Sequence, residues 1–442
     1  MALALLCVAQ FIDVLGVTVV VVALPSIGAD LDVTSDSLQL VVTVYALCFG
    51  GFLVLGGRAA DALGRRRVFA AGLALFALAS LLAGVAGDPA LLVAARGLQG
   101  LAAAAVVPAA LSMVTALYPE GPPRTRALAI WTATAAGGGA LGFVLGGIVT
   151  EALGWRWLFL LNVPIAVAAI ALTPAVLERR AEGVRTGARL DLVGAVLLSG
   201  GIGALILAAD EAGKDGIGAG AFLLPAFAGV VLLATFATVE RRVRDPLVPA
   251  GTFANRGLLS GNVVAFALTA VTSSAGVLAT LYAQDLLGMS AAETGFALLP
   301  FSAGVVAGSL SGNRTMPVLG ERGSMTTGLL IVGASMAAIA LAGLEGTIGI
   351  LSACLGVAGV GLGIAAVAST SIGTASAEPE ARGMASGLLN TSTQLGTALG
   401  VAVLVALAGA ASQLRDGIET AYLVAAGASA LAAMGALVLL RR

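Results

Sequence analysis

Long apolar stretches separated by short polar connectors follow one another along the chain. A helix that crosses a bilayer needs about 20 mostly apolar residues, because each residue adds 1.5 Å towards a hydrocarbon layer about 30 Å thick. The pattern predicts fourteen such spans and leaves almost no chain for a soluble domain. The predicted spans are 2–27, 38–56, 68–86, 91–117, 127–153, 157–177, 190–209, 219–239, 259–282, 295–311, 324–344, 348–373, 383–411 and 420–440.

The first span is interpreted as a retained helix and not as a signal peptide. It lacks a basic leading region, extends beyond 20 residues and shows no convincing small-residue cleavage site. Because it starts almost at Met1, we expect that a short cytoplasmic tail is missing before it.

Composition agrees with an all-α integral membrane protein. Hydrophobic residues make up 59% of the 442 residues and charged residues 11%, against about 25% charged in soluble domains. Histidine is absent, Lys214 is the single lysine, and the cysteines Cys7, Cys48 and Cys354 are isolated. We therefore expect no nucleic-acid partner, no metal site, no cofactor and no enzyme activity.

Arginine placement predicts the orientation of the spans, because cytoplasmic connectors of membrane proteins carry an excess of Lys and Arg. With the N-terminus inside, all basic residues but four fall in cytoplasmic segments. The four are Arg156, Lys214 and Arg415 outside and Arg96 within a span. We predict a multi-pass protein of the cell inner (plasma) membrane with both termini cytoplasmic.

An internal repeat divides the chain. A shift of 256 residues pairs the connector after the second span with the connector after the tenth: Gly56 with Gly312, Arg58 with Arg314, Gly64 with Gly320 and Arg66 with Arg322. This offset corresponds to eight spans, so we predict a six-helix bundle (1–177), two spacer helices (178–257) and a second six-helix bundle (258–442). Parallel repeats of this kind place a substrate site between the bundles and give alternating access by rocking.

The connector 56–67, Gly-Gly-Arg-Ala-Ala-Asp-Ala-Leu-Gly-Arg-Arg-Arg, is the most specific pattern in the chain. Asp61 is expected just before the third helix, where the positive end of the helix dipole favours a carboxylate. The alternative is a cytoplasmic anchor that follows the charge bias alone, although an anchor requires neither Asp61 nor the glycine spacing.

This connector resembles the signature loop of the major facilitator superfamily, Gly-x-x-x-Asp-x-x-Gly-Arg-Arg. The chain is most similar to the fourteen-helix drug/proton antiporter branch, and the resemblance implies two six-helix bundles plus two linker helices. Further stretches that resemble this branch, in order, are 41–45, 96–100, 154–164, 240–247, 282–284, 383–387 and 394–396.

The resemblance implies a conformational latch, a charge network that holds the two halves in one access state. The residues that match its motif are Gly57, Asp61, Gly64, Arg65 and Arg66. The second copy carries Pro317 where the acid is expected, so we predict a one-sided latch.

Asp13 lies roughly 18 Å from either end of the first span. A carboxylate at this depth costs at least about 2.5–3.5 kcal/mol, and acids retained there carry protons, ions or cationic substrates. We predict a proton-coupling role. The alternative is a packing acid that is hydrogen-bonded to Gln10 or to a neighbouring helix. Related antiporters place their acid at the position of Gly16, so Asp13 lies one turn earlier.

Arg96 is the second predicted proton-coupling residue, on the strength of the family resemblance, in which an arginine of the fourth helix takes part in coupling. The alternative is a side chain that extends to the outer interface. We also predict that five polar residues line the substrate cavity, each with helix packing as its alternative. They are Gln10, Gln99, Asn162, Asn390 and Gln394.

The fifth span carries a glycine repeat that resembles the antiporter motif of exporters. Its predicted members are Gly138, Gly142, Gly146 and Gly147, with Phe143 where the family has proline. Small residues every four positions also allow close helix packing, which is the alternative.

The leading prediction is a proton-coupled secondary transporter that exports amphipathic or apolar small molecules by alternating access and functions as a monomer in the lipid bilayer, with protons as its second partner. A proton-coupled importer or a facilitator of the same fold is the first alternative. An antiporter-like subunit of a respiratory proton pump is remote, because it requires lysines and histidines along the membrane centre. A non-transporting membrane sensor is not favoured, because the predicted spans leave almost no chain for a soluble domain that would transmit a signal.

Overall fold

The structure is a computed structural model that describes residues 1–32, 35–177, 191–215, 220–243, 246–248, 254–342 and 348–439. These residues form helices and turns and contain no strand. The α-helices are α1 (Ala2–Leu31), α2 (Ser35–Leu63), α3 (Arg65–Gly84), α4 (Pro89–Leu117), α5 (Pro122–Leu153), α6 (Arg156–Leu160), α7 (Asn162–Val176), α8 (Leu192–Asp215), α9 (Gly220–Glu240), α10 (Arg256–Leu281), α11 (Ala291–Leu341), α12 (Ile348–Ala375), α13 (Arg382–Gly409) and α14 (Leu414–Leu439).

Twelve stretches of the described residues are long and apolar enough to cross a membrane, so the predicted number of fourteen is not confirmed. Neither α5 nor α8 is among the twelve, and α8 contributes a shorter apolar stretch, Val193–Ala208. Two of the twelve lie within α11, which leaves helical geometry at Gly320 (φ 66°, ψ 178°). The predicted sixth span is interrupted by a turn at Leu161 between α6 and α7.

Several helices begin at residues that satisfy their free N–H groups. The Asp88 side chain accepts a hydrogen bond from the Leu91 amide at the start of α4, and Asn255 does the same for Gly257 and Leu258 at the start of α10. Such caps pair backbone donors that have no partner within the helix. Capping therefore positions α4, which carries Arg96.

The apolar side chains form two main cores. One is built from α1 to α5 and α7, with Leu6, Phe69 and Met113 fully buried in it. The other is built from α10 to α14, with Leu329 and Tyr422 at its centre. A smaller cluster joins α2 to α8, α9 and the segment 247–248.

Some predicted features lie outside the described residues. They include the predicted start of the spacer segment at 178. They also include the basic residues Arg179, Arg180, Arg185, Arg189, Arg244, Arg441 and Arg442.

Candidate functional site

Asp13 is the twelfth of the 30 residues of α1, so it lies nearer the N-terminal end than predicted, because the helix extends beyond 27 to Leu31. Its side chain is 5% exposed. Its Oδ1 accepts a hydrogen bond of 2.5 Å from the hydroxyl of Tyr45, which lies on α2 and is also buried. The Tyr45 ring in turn carries the Arg96 guanidinium, whose central carbon lies 4.2 Å from the ring centroid. A carboxylate, a tyrosine and an arginine from three helices therefore form one buried group, which we call the Asp13 cluster.

Arg96 is 1% exposed and turns inward. It donates from Nε to the Val41 carbonyl at 3.1 Å and from one terminal nitrogen to the Gly16 carbonyl at 3.3 Å and Gln99 Oε1 at 2.9 Å. The other terminal nitrogen has no hydrogen-bond partner in the part of the chain that the structure describes. The guanidinium therefore does not extend to the outer interface.

Gln99 has a structural connection that its prediction as a cavity residue did not include. Its amide nitrogen donates to Ser80 Oγ on α3 at 2.8 Å, while its oxygen accepts from Arg96. The side chain is 1% exposed. Gln99 therefore connects Arg96 on α4 to Ser80 on α3.

Asp61 lies in the last turn of α2 and is fully buried. Its Oδ1 accepts from the Gly383 amide at 2.9 Å and its Oδ2 from the Met384 amide at 2.8 Å, both in the first turn of α13. The expected favourable helix end is therefore that of α13, from the other half of the chain, and not that of α3. The connector also differs from the expected loop, because only Gly64, with a φ of 101°, separates α2 from α3.

Arginines surround this junction between the two halves. Arg65 pairs with Asp61 at 3.3 Å and donates to the Pro379 carbonyl. Arg382 at the start of α13 donates to the Thr115 carbonyl at 3.4 Å and lies 3.9 Å from Glu120. Arg66 is half-buried at the start of α3.

Close backbone contact makes the junction sensitive to side-chain size. A Cβ added at Gly383 would lie 2.6 Å from Asp61 Oδ1, and one added at Gly387 would lie 2.6 Å from the Leu53 carbonyl. Gly57 faces the Gly383 carbonyl in the same way. Real Cβ atoms do not approach that closely, so α2 and α13 touch here because these positions are glycines.

The second copy of the connector has a different structure. Pro317 lies within α11, where Asp61 would have its counterpart, and Gly320 provides the break in the helix. The nearby acid Glu321 accepts a hydrogen bond of 2.7 Å from Ser371 Oγ on α12. This acid binds within its own half, in contrast to Asp61.

The glycines of α5 pack mainly against α1. A Cβ at Gly138 would lie 3.3 Å from the Phe11 carbonyl, and Gly142 faces Thr18. Gly146 is buried, whereas a Cβ at Gly147 would meet open space. The Phe143 side chain lies outside the described residues.

The other predicted cavity residues are spread over both halves. Gln10 is buried on α1, and its Oε1 has no hydrogen-bond partner among the residues described. Asn162 donates to the Leu158 carbonyl at 3.3 Å and is buried on α7, which packs against α1 and α3. Asn390 donates to the Ser386 carbonyl at 2.9 Å, and Gln394 is half-buried on α13 beside Gly50.

A separate polar contact connects α1 to α6 away from the cluster. Arg156 donates to Asp30 Oδ2 at 2.6 Å and to the Ala86 carbonyl at 3.0 Å, and the Trp155 indole donates to the same Asp30 oxygen at 3.3 Å. The hydrogen bond from Arg156 lowers the pKa of the Asp30 carboxyl. Both charged side chains are more than a third exposed, so we treat this contact as a surface interaction.

Comparison with known protein families identifies the family of this chain. The family model of the Major Facilitator Superfamily matches residues 6–401 and, a second time, 262–442. The chain belongs to the major facilitator superfamily. The all-helical structure with two apolar cores agrees with this membership.

Two curated relatives within the superfamily match over most of their length. The puromycin resistance protein pur8 of Streptomyces alboniger is 38% identical over 95% of this chain and 82% of its own length. The cephamycin export protein CmcT of Amycolatopsis lactamdurans is 39% identical over 92% of this chain and 85% of its own.

A solved structure supports the fold. The crystal structure of the human organic anion transporter MFSD10 (TETRAN) matches with a TM-score of 0.73 and 15% sequence identity, over 98% of each chain. At this level of identity the match concerns the fold alone.

Sequence reasoning did not single out Tyr45 as a site residue, although the stretch 41–45 was part of the family resemblance. A buried tyrosine hydroxyl requires a partner, and Asp13 was the acid most in need of one. Nothing in the spacing of the two residues indicates that their helices meet at this level. The partners of Asp61 in α13 could not be predicted from the sequence either, because they are backbone amides 322 and 323 positions further along the chain.

Proposed function

We propose that this protein is a proton-coupled secondary transporter that exports amphipathic or apolar small molecules by alternating access. The observation that carries the proposal is the Asp13 cluster, a buried carboxylate held beside a buried arginine within a membrane-spanning bundle. Acids at such positions bind and release protons or cations in many transporters.

The relatives support export as the direction and drugs as the substrate class. One is named for puromycin resistance and another for cephamycin export. Tetracenomycin C and lincomycin resistance proteins of two Streptomyces species are also similar, at 32% and 33% identity. These names cover molecules of different chemistry, so we propose an amphipathic substrate without committing to one compound class.

The junction of Asp61 with α13 supports a latch between the halves. Two backbone N–H groups and an arginine hold the carboxylate, and hydrogen bonds to a charged group contribute about 1.5–3 kcal/mol each. We infer that rocking breaks this junction and reforms it in each cycle. Gly57 and Gly64 permit the close approach and the turn, while Arg65 and Arg66 provide the positive charge.

We further propose fourteen spans, with α5 and α8 added to the twelve, and the division into 1–177, 178–257 and 258–442. α5 has 32 residues and packs against α1 and α11, and α8 packs against α2 and α9. With the arginine-rich connectors inside, both termini are cytoplasmic, the membrane is the inner membrane, and the latched state is closed to the cytoplasm. We propose a functional monomer.

Substrate contact is proposed for Gln10, Asn390 and Gln394, because each is buried or half-buried and lies on α1 or α13. Gln99 and Asn162 are buried and hydrogen-bonded within the protein, so we propose that their contribution to the cavity is indirect. Of the α5 glycines in the antiporter-like motif, Gly138 and Gly142 are proposed to let α5 slide on α1 during the cycle. For Gly146 and Gly147 the proposal rests on the motif resemblance.

Transport by purified protein in proteoliposomes tests the proposal. The probes are puromycin and the dye rhodamine 6G, followed by counterflow and by uptake under an imposed pH gradient. We expect uphill accumulation of a probe in exchange for protons. In weak buffer, probe addition to purified protein should release protons, with a maximum at intermediate pH. Proton uptake would indicate symport, and transport without proton movement would indicate a facilitator.

A further inference from the structure

We propose that Tyr45 is the positioning residue through which Arg96 controls proton binding at Asp13. This inference rests on the proposed proton coupling and assigns the part that connects its two charged residues. The tyrosine lies on α2, whereas Asp13 lies on α1 and Arg96 on α4, so all three helices of the cluster meet at its side chain.

The first step of the argument concerns the hydrogen bonds of Arg96. They go to the carbonyl groups of Val41 and Gly16 and to the Gln99 side chain. The described residues include no ion pair within 4.0 Å between Arg96 and Asp13, although their charges are close enough to interact. Tyr45 is the side chain that contacts both residues.

The second step is that Tyr45 uses two different parts of its side chain. The hydroxyl donates to Asp13 at 2.5 Å, and the face of the ring lies 4.2 Å from the guanidinium carbon. A cation over a ring is attracted by the negative face, and this attraction grows when water is excluded. Both contacts are fully enclosed, since Tyr45 is 2% exposed and Arg96 is 1% exposed.

The third step is that, among the residues that the structure describes, no other charged side chain hydrogen-bonds or pairs with Asp13. The Asp13 carboxyl interacts with the Tyr45 hydroxyl and with the charge of Arg96. Of the helices that pack against α1, α5 carries charged residues only near its ends and α7 carries none. The polar group that α3 contributes is the neutral Ser80. The tyrosine hydroxyl is thus positioned to respond when Asp13 gains a proton.

The consequence is a defined sequence of events. While Asp13 is ionised, its oxygen is a strong acceptor and holds the Tyr45 hydroxyl, which keeps the ring beneath Arg96. A proton taken up from water by the Asp13 carboxylate weakens that acceptor, and Tyr45 retains its own proton throughout. The ring is then released from its fixed position, so α4 senses the protonation of α1 through the guanidinium.

Infrared difference spectroscopy of the purified protein in lipid nanodiscs tests this without any transported molecule. The carbonyl stretch of the protonated Asp13 acid is followed against pH and assigned by its absence in Asp13→Asn. In Tyr45→Phe, which keeps the ring and removes the hydroxyl, we expect the midpoint to move to higher pH by about one unit, because the carboxylate loses a donor. The carbonyl frequency should also rise.

Tyr422→Phe is the matched control. Tyr422 is a fully buried tyrosine of the second core whose hydroxyl donates to the Ala275 carbonyl at 3.0 Å, so it loses a comparable bond without involving a carboxylate. The midpoint of the Asp13 titration in Tyr422→Phe should equal that in the parent protein. A Tyr45→Phe midpoint equal to that of the parent, or an Asp13 band that does not titrate, would overturn the proposal.

A double-mutant comparison tests the connection to Arg96. Arg96→Ala should shift the midpoint in the parent protein and shift it less in the Tyr45→Leu background, where the ring is gone. Equal shifts in the two backgrounds would show that the charges interact without Tyr45. If the infrared shifts appear but transport moves no protons, the positioning role stands and the proposed transport cycle fails, so the two failures are distinguishable.

Discussion

The two halves of the molecule bury different kinds of polar groups. The helices of the first core bury charged side chains at both the Asp13 cluster and the latch. The buried charged side chains of these helices are Asp13, Arg58, Asp61, Arg65, Arg96 and Arg124. In the described parts of α10 to α14, the buried polar side chains are serines and threonines, such as Thr272 and Ser429.

Buried hydroxyl groups and buried charges differ in the partners that they need. A buried hydroxyl can be satisfied by its own helix, as Thr272 is by the Leu268 carbonyl at 2.7 Å, and needs no partner elsewhere. A buried charge requires a partner from another helix, because leaving it alone costs several kcal/mol. In the proposed transport cycle, the first half therefore holds the groups that respond to protons and to the position of the other half, and the second half is the packed body against which it moves.

The largest effect is expected for Asp13→Asn. We expect loss of proton-driven accumulation of the probe, because asparagine cannot exchange the proton, while insertion and folding persist. Thr272→Val in the second core is the matched control and should transport at nearly the parent rate. Uphill transport at the normal rate by Asp13→Asn in a pH gradient would remove the functional difference between the halves.

Asp61→Asn, at the latch, should have the next largest effect. Turnover should fall by roughly tenfold, since one charge-assisted contact of about 1.5–3 kcal/mol is weakened, whereas equilibrium binding of the probe changes little. Pro317→Ala, at the corresponding position of the second half, should stay within about twofold of the parent on the same scale. Equal losses of binding and turnover in Asp61→Asn would contradict a latch.

Arg96→Ala tests whether the two charges of the cluster act together. A nearby cation favours an ionised carboxylate, so its removal should shift the maximum of probe-induced proton release to higher pH. The measurement is a pH series in weak buffer with purified protein. The same series for Arg382→Ala, which alters the junction and leaves the cluster intact, should keep the parent maximum.

The smallest effect is expected at the exposed contact of Asp30 with Arg156. The pKa of Asp30 is lowered by its hydrogen bond from Arg156, so the stabilisation is present above the ordinary carboxyl value of about 3.9 and is lost as pH falls through the lowered value. The thermal unfolding temperatures of Asp30→Asn and of the parent protein should differ slightly at pH 7 and become equal at strongly acidic pH. A difference that grows in acid would contradict this assignment.

The candidate site could be predicted in part. Asp13 was predictable because its depth in an apolar span follows from counting residues, and the connector around Asp61 was predictable because its pattern is specific. The buried position of Arg96 was left open, since an arginine five residues into a helix reaches water if its neighbours allow it. Its carbonyl partners at Val41 and Gly16 decide the direction, and backbone acceptors have no sequence pattern.

The amino-acid sequence was enough to predict a multi-pass membrane protein, because the hydrophobic length of each span is a local property. The repeat offset and the arginine placement can also be derived from the sequence, and the duplication and orientation that they indicate stay predictions. Tertiary structure alone decided which helices meet. The start of α13 binds Asp61, and Tyr45 joins Asp13 to Arg96, since such contacts depend on how separate helices pack and cross. In an apolar surrounding, polar groups must find partners wherever packing brings them, and that choice is made in three dimensions.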